Sequence, residues 1–326
     1  MFKKEENNKY LISIIVPCYN EEGNIEILYN KIKNELNEDN VEFVFIDDNS
    51  SDKTLQIIEK ICETDINVKY ISFSRNFGHQ SALRAGLEHA KGDCVISMDA
   101  DLQHPPELLK SLIKSWIEGF DIVYTIRKDI ENVSAFKKIT ASFFYSMINS
   151  LSDIEINQGS ADFRLLDRRI VNHLVRDITE YHLFYRGMIS WIGFKQKAIE
   201  YVPNKRFSGK SKYSLLKMIN FAVDGITSFS IKPLKLGIFL GLIFSVLSGI
   251  YGAYVLFMSI FTDETVKGWT SVLLSILFIG GVNMILMGIV GEYIGKLYIQ
   301  SKNRPFFLIQ KTNIEYEQRE FLQYNR

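Results

Sequence analysis

The chain has 326 residues, 47% of them hydrophobic, which suffices for one large domain or two ordinary ones. Its 38 Lys and Arg balance 38 Asp and Glu, so no bulk basic field points to nucleic acid. The cysteines Cys18, Cys62 and Cys94 fit neither a zinc site nor a disulfide framework, and their odd number suits reduced thiols in a cytosolic setting.

Residues 1–9 are polar and lead straight into a strand-like run, so no secretory signal is visible. Leu11–Val16 is β-branched and ends at Pro17. Glu21–Leu36 has helical spacing, Val41–Ile46 reads as a second strand, and D47-D48-N49-S50-S51-D52 as a turn with a helix cap. A helix over Thr54–Cys62, a strand over Val68–Phe73 and a helix over Gln80–Ala90 follow. Asp93–Met98 is a fourth strand, Pro106–Glu118 a helix and Asp121–Thr125 a fifth strand. This alternation predicts a parallel sheet of βαβ units, with strands apolar on both faces because helices cover both.

Beyond residue 232 the composition changes. Leu234–Phe261 carries no charge after Lys235, and about Trp269–Val290 carries none. Each block exceeds the roughly 20 residues needed to cross a bilayer core. The short connection T262-D263-E264-T265-V266-K267-G268 makes them a hairpin. Lys210, Lys212, Lys217, Lys232 and Lys235 precede the hairpin, and Lys296, Lys302, Arg304 and Lys311 follow it, whereas the connection has only Lys267. That bias places both termini in the cytoplasm. Tyr213–Ser230 reads as interfacial amphipathic helices. Phe136–Leu151 is also amphipathic, fitting either the interface or plain core. The expected organisation is a catalytic domain over 1–205, a juxtamembrane segment over 206–232, two spans within 233–299 (about 234–261 and 269–291), and a cytoplasmic tail over 300–326. Gly280, Gly281, Gly288, Gly291 and Gly295 offer small-residue positions for contact between copies.

Open α/β sheets bind ligands outside the carboxyl ends of their strands. The polar clusters fall there: P17-C18-Y19-N20-E21, Asp47-Asp48, S74-R75-N76-F77-G78-H79, D99-A100-D101 and Arg127. Asp99 and Asp101 point the same way if the segment is extended, and paired carboxylates suit Mg2+ or Mn2+ completed by substrate phosphate oxygens. P105-P106 then stops the strand and starts a helix. Two carboxylates so close together are poorly placed to flank a glycosidic bond for hydrolysis. Neither a P-loop nor a dinucleotide glycine fingerprint is present, and the histidines show no metal spacing with the cysteines.

The stretches I14-I15-V16-P17-C18-Y19-N20-E21-E22, Asp47–Asp52, R75-N76-F77-G78-H79-Q80 and D99-A100-D101-L102-Q103-H104-P105-P106 resemble glycosyltransferase family 2. More narrowly they resemble polyprenyl-phosphate glycosyltransferases, a group that includes dolichol-phosphate mannose synthases and bactoprenol glucosyltransferases. The likeness continues through G159-S160-A161-D162-F163-R164, R206-F207-S208-G209-K210-S211-K212-Y213 and G291-E292-Y293-I294-G295, covering roughly residues 10–308.

The resemblance implies a GT-A fold, Rossmann-like, with interfacial helices and a transmembrane hairpin at a bacterial cell membrane. It implies that Pro17, Tyr19, Glu21 and Asp48 lie around the nucleotide and that Asp99 bridges nucleotide and metal. Asp101 and Gln103 would ligate Mg2+ or Mn2+. Arg127 and Arg206 would hold phosphates, Lys210 and Lys212 would lie on a closing loop, and Asp162 would lie near the acceptor. Asp162 and Asp99 are thereby the expected catalytic residues, Asp162 orienting the acceptor or accepting a proton; the competing reading of Asp162 is a helix cap or a pair with Arg164. D-D-N-S stands where D-D-G-S is commoner, and Asn tolerates the left-handed turn. Absence of Q-x-x-R-W speaks against a processive synthase. The implied reaction is inverting transfer of a hexose from a nucleotide sugar to undecaprenyl (polyprenyl) phosphate. UDP-glucose is favoured, with UDP-GlcNAc and GDP-mannose open; a non-catalytic membrane scaffold is the competing reading.

Overall fold

The computed structural model describes residues 10–37, 39–128, 160–181, 183–203, 227–228, 230–261 and 268–315. They fall into two compact units, one formed by residues up to 203 together with 303–315, the other by residues 227–302. The predicted segment Phe136–Leu151 and most of Tyr213–Ser230 lie outside the described residues.

The first unit is built on an eight-stranded sheet. Its strands are β1 (Leu11–Cys18), β2 (Asn40–Asp47), β3 (Val68–Phe73), β4 (Cys94–Ser97), β5 (Ile122–Arg127), β6 (Ser160–Asp167), β7 (Gln196–Tyr201) and β8 (Ile309–Thr312), in the spatial order β7-β5-β6-β4-β1-β2-β3-β8. Helices α1 (Ile25–Glu35), α2 (Thr54–Thr64), α3 (His79–His89) and α4 (Leu109–Ile117) connect the first five strands. Ile14, Ile15, Val16, Phe45, Ile46, Ile71 and Ile96 are completely buried, as expected of strands covered on both faces.

The expected sheet was parallel, and the central pairings β4-β1-β2-β3 are. Strands β6 and β8 run the other way. The reversal of β6 matters for the site. An antiparallel strand starts at the edge where its parallel neighbours finish, so β6 begins beside the end of β4. Ser97 pairs with Arg164, and two residues further along the chain from Ser97, and two back from Arg164, lie Asp99 and Asp162. After β6 come α5 (Arg168–Asn172), a wider turn over His173–Asp177, and α6 (Tyr185–Ile192) before β7.

The second unit contains α7 (Lys232–Phe261) and α8 (Trp269–Ser301), of 30 and 33 residues. Stretches of 23 and 24 residues within them, with mean hydropathies of 2.0 and 1.5, are long and apolar enough to cross a membrane. Gly237 faces Leu286, and Phe244 meets Phe278 with ring centroids 5.7 Å apart, so the helices run antiparallel as a hairpin. Near its end, Tyr293 donates to the carbonyl of Ser230 at 2.6 Å and Lys296 donates to Thr227 Oγ1 at 2.6 Å.

After α8 the chain re-enters the sheet. Strand β8 covers the open edge of β3, and Ser74 N donates to Leu308 O at 3.0 Å. Phe307 is buried and stacks on Phe73 at 5.1 Å, while Phe306 lies over the Arg84 guanidinium at 4.9 Å. These contacts brace the loop that runs from Ser74 to the start of α3. Truncating Phe307 to Ala is expected to destabilise the sheet unit by about 3 kcal/mol or more. Thermal unfolding of the full chain in detergent checks this, and unchanged melting would mean the terminal strand is a passive addition.

Candidate active site

The loops after β1 and β2 are tied together by side chains bonding backbone. Asn20 Oδ1 accepts from Ser51 N at 2.8 Å, and Glu21 N donates to Thr54 Oγ1 at 2.8 Å. Glu22 Oε2 accepts from Lys53 N at 3.0 Å, and Asp52 Oδ1 accepts from Thr54 N at 3.0 Å, so Asp52 orders the start of α2. Asn49 has φ 59°, the left-handed conformation its place in the turn requires. Pro17 is buried in β1, Tyr19 is 41% exposed beyond it, and Glu21 accepts from Asn24 Nδ2 at 2.6 Å.

Asp47 and Asp48 separate in role. Asp47 is buried and accepts from Ser50 N at 3.1 Å and Ser72 Oγ at 2.9 Å. Asp48 accepts from Phe77 N at 2.7 Å on one oxygen and Gly78 N at 2.9 Å on the other. Burial pushes the Asp48 carboxyl up from its ordinary value, partly offset by those two bonds. Asp48 thereby shapes the loop that delivers His79 to the first position of α3.

The D-x-D segment forms a strained turn. Leu102 has φ 61°, which a branched side chain reaches only when its surroundings compel it, and Leu102 is 6% exposed in the core. Gln103 N donates to Asp101 Oδ1 at 3.1 Å, and Gln103 Oε1 lies 3.5 Å from an Arg127 nitrogen at the end of β5. Asp99 N donates to His104 Nδ1 at 3.1 Å, and His104 Nε2 stands 3.7 Å from Asp99 Oδ2. His104 is buried and stacked on Phe163 at 5.0 Å, so it holds the turn from beneath. Burial pushes the Tyr201 phenol beside it, at the end of β7, up to about 12.

His79 links this turn to β6. Its Nε2 lies 3.7 Å from Asp99 Oδ1 and 3.6 Å from Asp162 Oδ2. Burial disfavours the imidazolium, yet the two carboxylates outweigh that and raise its pKa. Asp162 is buried and takes Arg164 Nη2 at 2.8 Å, with Arg186 of α6 binding both its oxygens at 3.1 and 2.9 Å. Burial alone would raise its carboxyl; Arg186, the hydrogen bond from His79 and Arg164 instead hold it well below the usual carboxylate range.

Asp48 (through its loop), Asp99, Asp101, Gln103, Arg127 and Asp162 thus meet at one edge of the sheet. Arg206, Lys210 and Lys212 lie outside the described residues. Sequence reasoning placed His79 in the polar cluster after the third strand without giving it a role, and missed His104 and Arg186. The signal for His79 was its place behind the third strand's polar loop; Arg186 sits on a helix whose sequence, YRGMISWI, points to no site. Among the described residues no three His, Cys, Asp or Glu side chains form a ready metal cage. Asp99 and Asp101 nevertheless offer the hard oxygen donors that suit a divalent ion shared with substrate phosphate.

The sheet order, the edge carboxylates and the turn that carries them define a GT-A glycosyltransferase. Residues 13–175 match the profile described as glycosyl transferase family 2, and residues 232–297 match the GtrB C-terminal hairpin. The chain is 42% identical over 302 residues to the uncharacterized glycosyltransferase YkcC of Bacillus subtilis, covering 92% of this chain and 93% of that one. It is 41% identical over 304 residues to the SfII prophage-derived bactoprenol glucosyl transferase of Shigella flexneri, covering 93% and 98%. A prophage bactoprenol glucosyl transferase homolog of Escherichia coli is 41% identical over 303 residues, covering 92% and 99%. Among solved structures, glucosyl-3-phosphoglycerate synthase from Mycobacterium tuberculosis, with Mn2+, UDP and phosphoglyceric acid, aligns with a TM-score of 0.45 at 18% identity over 67% of this chain and 76% of that one. The chain belongs to glycosyltransferase family 2.

The ion cluster around Asp162 yields a test. Asp162→Asn leaves two guanidinium groups short of their counter-charge and is expected to destabilise the protein by about 3 kcal/mol or more. Because the native carboxyl is depressed, its contribution is complete above the ordinary carboxylate range and fades only as pH falls through the depressed value. The carboxylate's own part of the melting difference between wild type and Asp162→Asn should therefore hold from about pH 6 to pH 8 and narrow in acid, while the part by which it supports the His79 imidazolium fades as pH rises through the raised His79 value. A difference that did not narrow in acid would show that the Asp162 carboxyl is not held below its ordinary value.

Proposed function

We propose that this protein transfers glucose from UDP-glucose to undecaprenyl phosphate, with inversion, at the cytoplasmic face of a bacterial membrane. The observation that carries the reading is the union in one chain of the Asp99–His79–Asp162 edge with a long apolar hairpin. The bactoprenol glucosyl transferase names of several relatives support both the lipid class and the sugar. The Lys and Arg bias around the hairpin supports termini and catalytic unit on the cytoplasmic side.

Asp99 and Asp101, with Gln103, would hold Mg2+ or Mn2+, which supplies positive charge against the leaving diphosphate. Pro17, Tyr19, Glu21 and Asp48 would surround the nucleotide, and Arg127, Arg206, Lys210 and Lys212 would bind phosphate groups. The attacking oxygen belongs to a phosphate monoester whose second pKa is about 6, so it is largely ionised near neutrality without help. Asp162 suits this economy. A carboxylate held so firmly as an anion is a poor proton acceptor, and its work is to fix the cationic groups around it.

A transfer assay tests the proposal. Membranes containing the protein are incubated with undecaprenyl phosphate, Mg2+ or Mn2+, and labelled UDP-glucose, UDP-GlcNAc or GDP-mannose in turn. Glucose alone is expected in the chloroform-soluble product, with Asp101→Ala reducing it by about a hundredfold or more. Label from another donor would reassign the sugar, and no lipid product from any donor would overturn the reaction in favour of a scaffold.

A further inference from the structure

Two arginines attend one buried carboxylate at the site, and they are not equivalent. The Arg164 side chain is 4% exposed and also donates from Nη2 to the carbonyl of Ala161 at 2.8 Å. It is held on two sides. The Arg186 side chain is 26% exposed, and its Nε and Nη2 form a fork on Asp162. Arg164 is thus the fixed partner of Asp162 and Arg186 the more exposed one. A fork that fits a carboxylate fits a phosphate equally well.

Position narrows the ligand. His79 Nε2 lies 3.6 Å from Asp162 and 3.7 Å from Asp99, so Asp162, the carboxylate that Arg186 grips, stands one histidine away from the carboxylate assigned to the donor diphosphate. The attacking phosphate must come to that neighbourhood, because its oxygen has to reach the sugar carbon attached to the diphosphate. Arg127, by contrast, approaches the opposite part of the turn, at Gln103.

We propose that Arg186 binds the acceptor's phosphate monoester, exchanging Asp162 for it when the lipid arrives, while Arg164 stays with Asp162. The Asp162 carboxylate sits in the fork that the phosphate would take. In the exchange the monoester takes over the Arg186 guanidinium, and Asp162 keeps that of Arg164. No bond to carbon or phosphorus changes in this step. The inference rests on the transfer reaction proposed above.

The experiment compares wild type, Arg186→Gln and Arg186→Lys in the full chain in detergent. It reads three quantities: the melting temperature, the dissociation constant for UDP with Mn2+, and KM and kcat for undecaprenyl phosphate at saturating UDP-glucose. The expected result for Arg186→Gln is a KM for undecaprenyl phosphate raised about tenfold or more, with UDP affinity within about threefold of wild type. Arg186→Lys should recover part of the KM, since it keeps the charge but loses the fork. A fall in kcat with unchanged acceptor KM would overturn the proposal and leave Arg186 as a clamp on Asp162. Equal weakening of UDP and acceptor would assign Arg186 to the donor diphosphate and also overturn it. If Arg186→Gln fails to fold, Arg186→Lys alone decides: acceptor KM unchanged from wild type sinks the assignment. Failure of the underlying reaction shows separately, as absence of lipid product with wild type.

Discussion

Carboxylates brought close together repel, and this sheet edge gathers Asp99, Asp101 and Asp162. Asp99 and Asp162 each stand within 3.7 Å of the same imidazole nitrogen. Such crowding in a partly dry site is tolerable only if cations share it. His79, Arg164 and Arg186 supply them, and each comes from a different element: the start of α3, the body of β6 and the start of α6. The geometry of the site therefore depends on three separate packing relations being correct at once. Asp48 fixes the first through the loop before α3, the antiparallel register with β4 fixes the second, and the helix before β7 fixes the third.

The parts legible in the sequence were those with a local cause. Strands β1 to β5 were visible as apolar runs punctuated by turn residues, and the edge clusters followed from where those strands stop. The hairpin was visible from hydropathy alone. Strand β6 was not, because S160-A161-D162-F163-R164-L165-L166-D167 carries polar residues that a buried strand seldom holds unpaired. Here they are paired, Asp162 with Arg164, a pairing the sequence allowed, and with Arg186, which reaches it only in three dimensions. Helix α4 began later than expected because Pro106–Leu108 forms a tighter turn first. Strand β8 lay in a tail too short and too charged to read as part of a sheet; Lys311 in it pairs with Glu59 of α2.

The histidines show how a sound rule for one residue fails for a cluster. A lone histidine is usually structural, and His104 largely obeys, stacked on Phe163 beneath the turn. His79 does not. Its ring bridges two carboxylates, one on each side of an antiparallel pairing that no local pattern announced. Leu102 makes a related point about the turn itself. The sequence explains the prolines that follow it, but a leucine at φ 61° is sustained by burial against the finished core.

The closing strand bears on how the molecule is made. Ribosomes deliver β1 to β7 first, then the 30- and 33-residue apolar helices, and only afterwards the residues of β8. Until that moment the edge of β3 is bare and Phe73 lacks its stacking partner. The nascent catalytic unit thus carries an unfinished, sticky edge throughout synthesis of the hairpin. Completion of the sheet therefore waits on residues translated after both apolar helices, and a chain interrupted before Phe307 lacks both the stacking partner of Phe73 and the strand that covers β3.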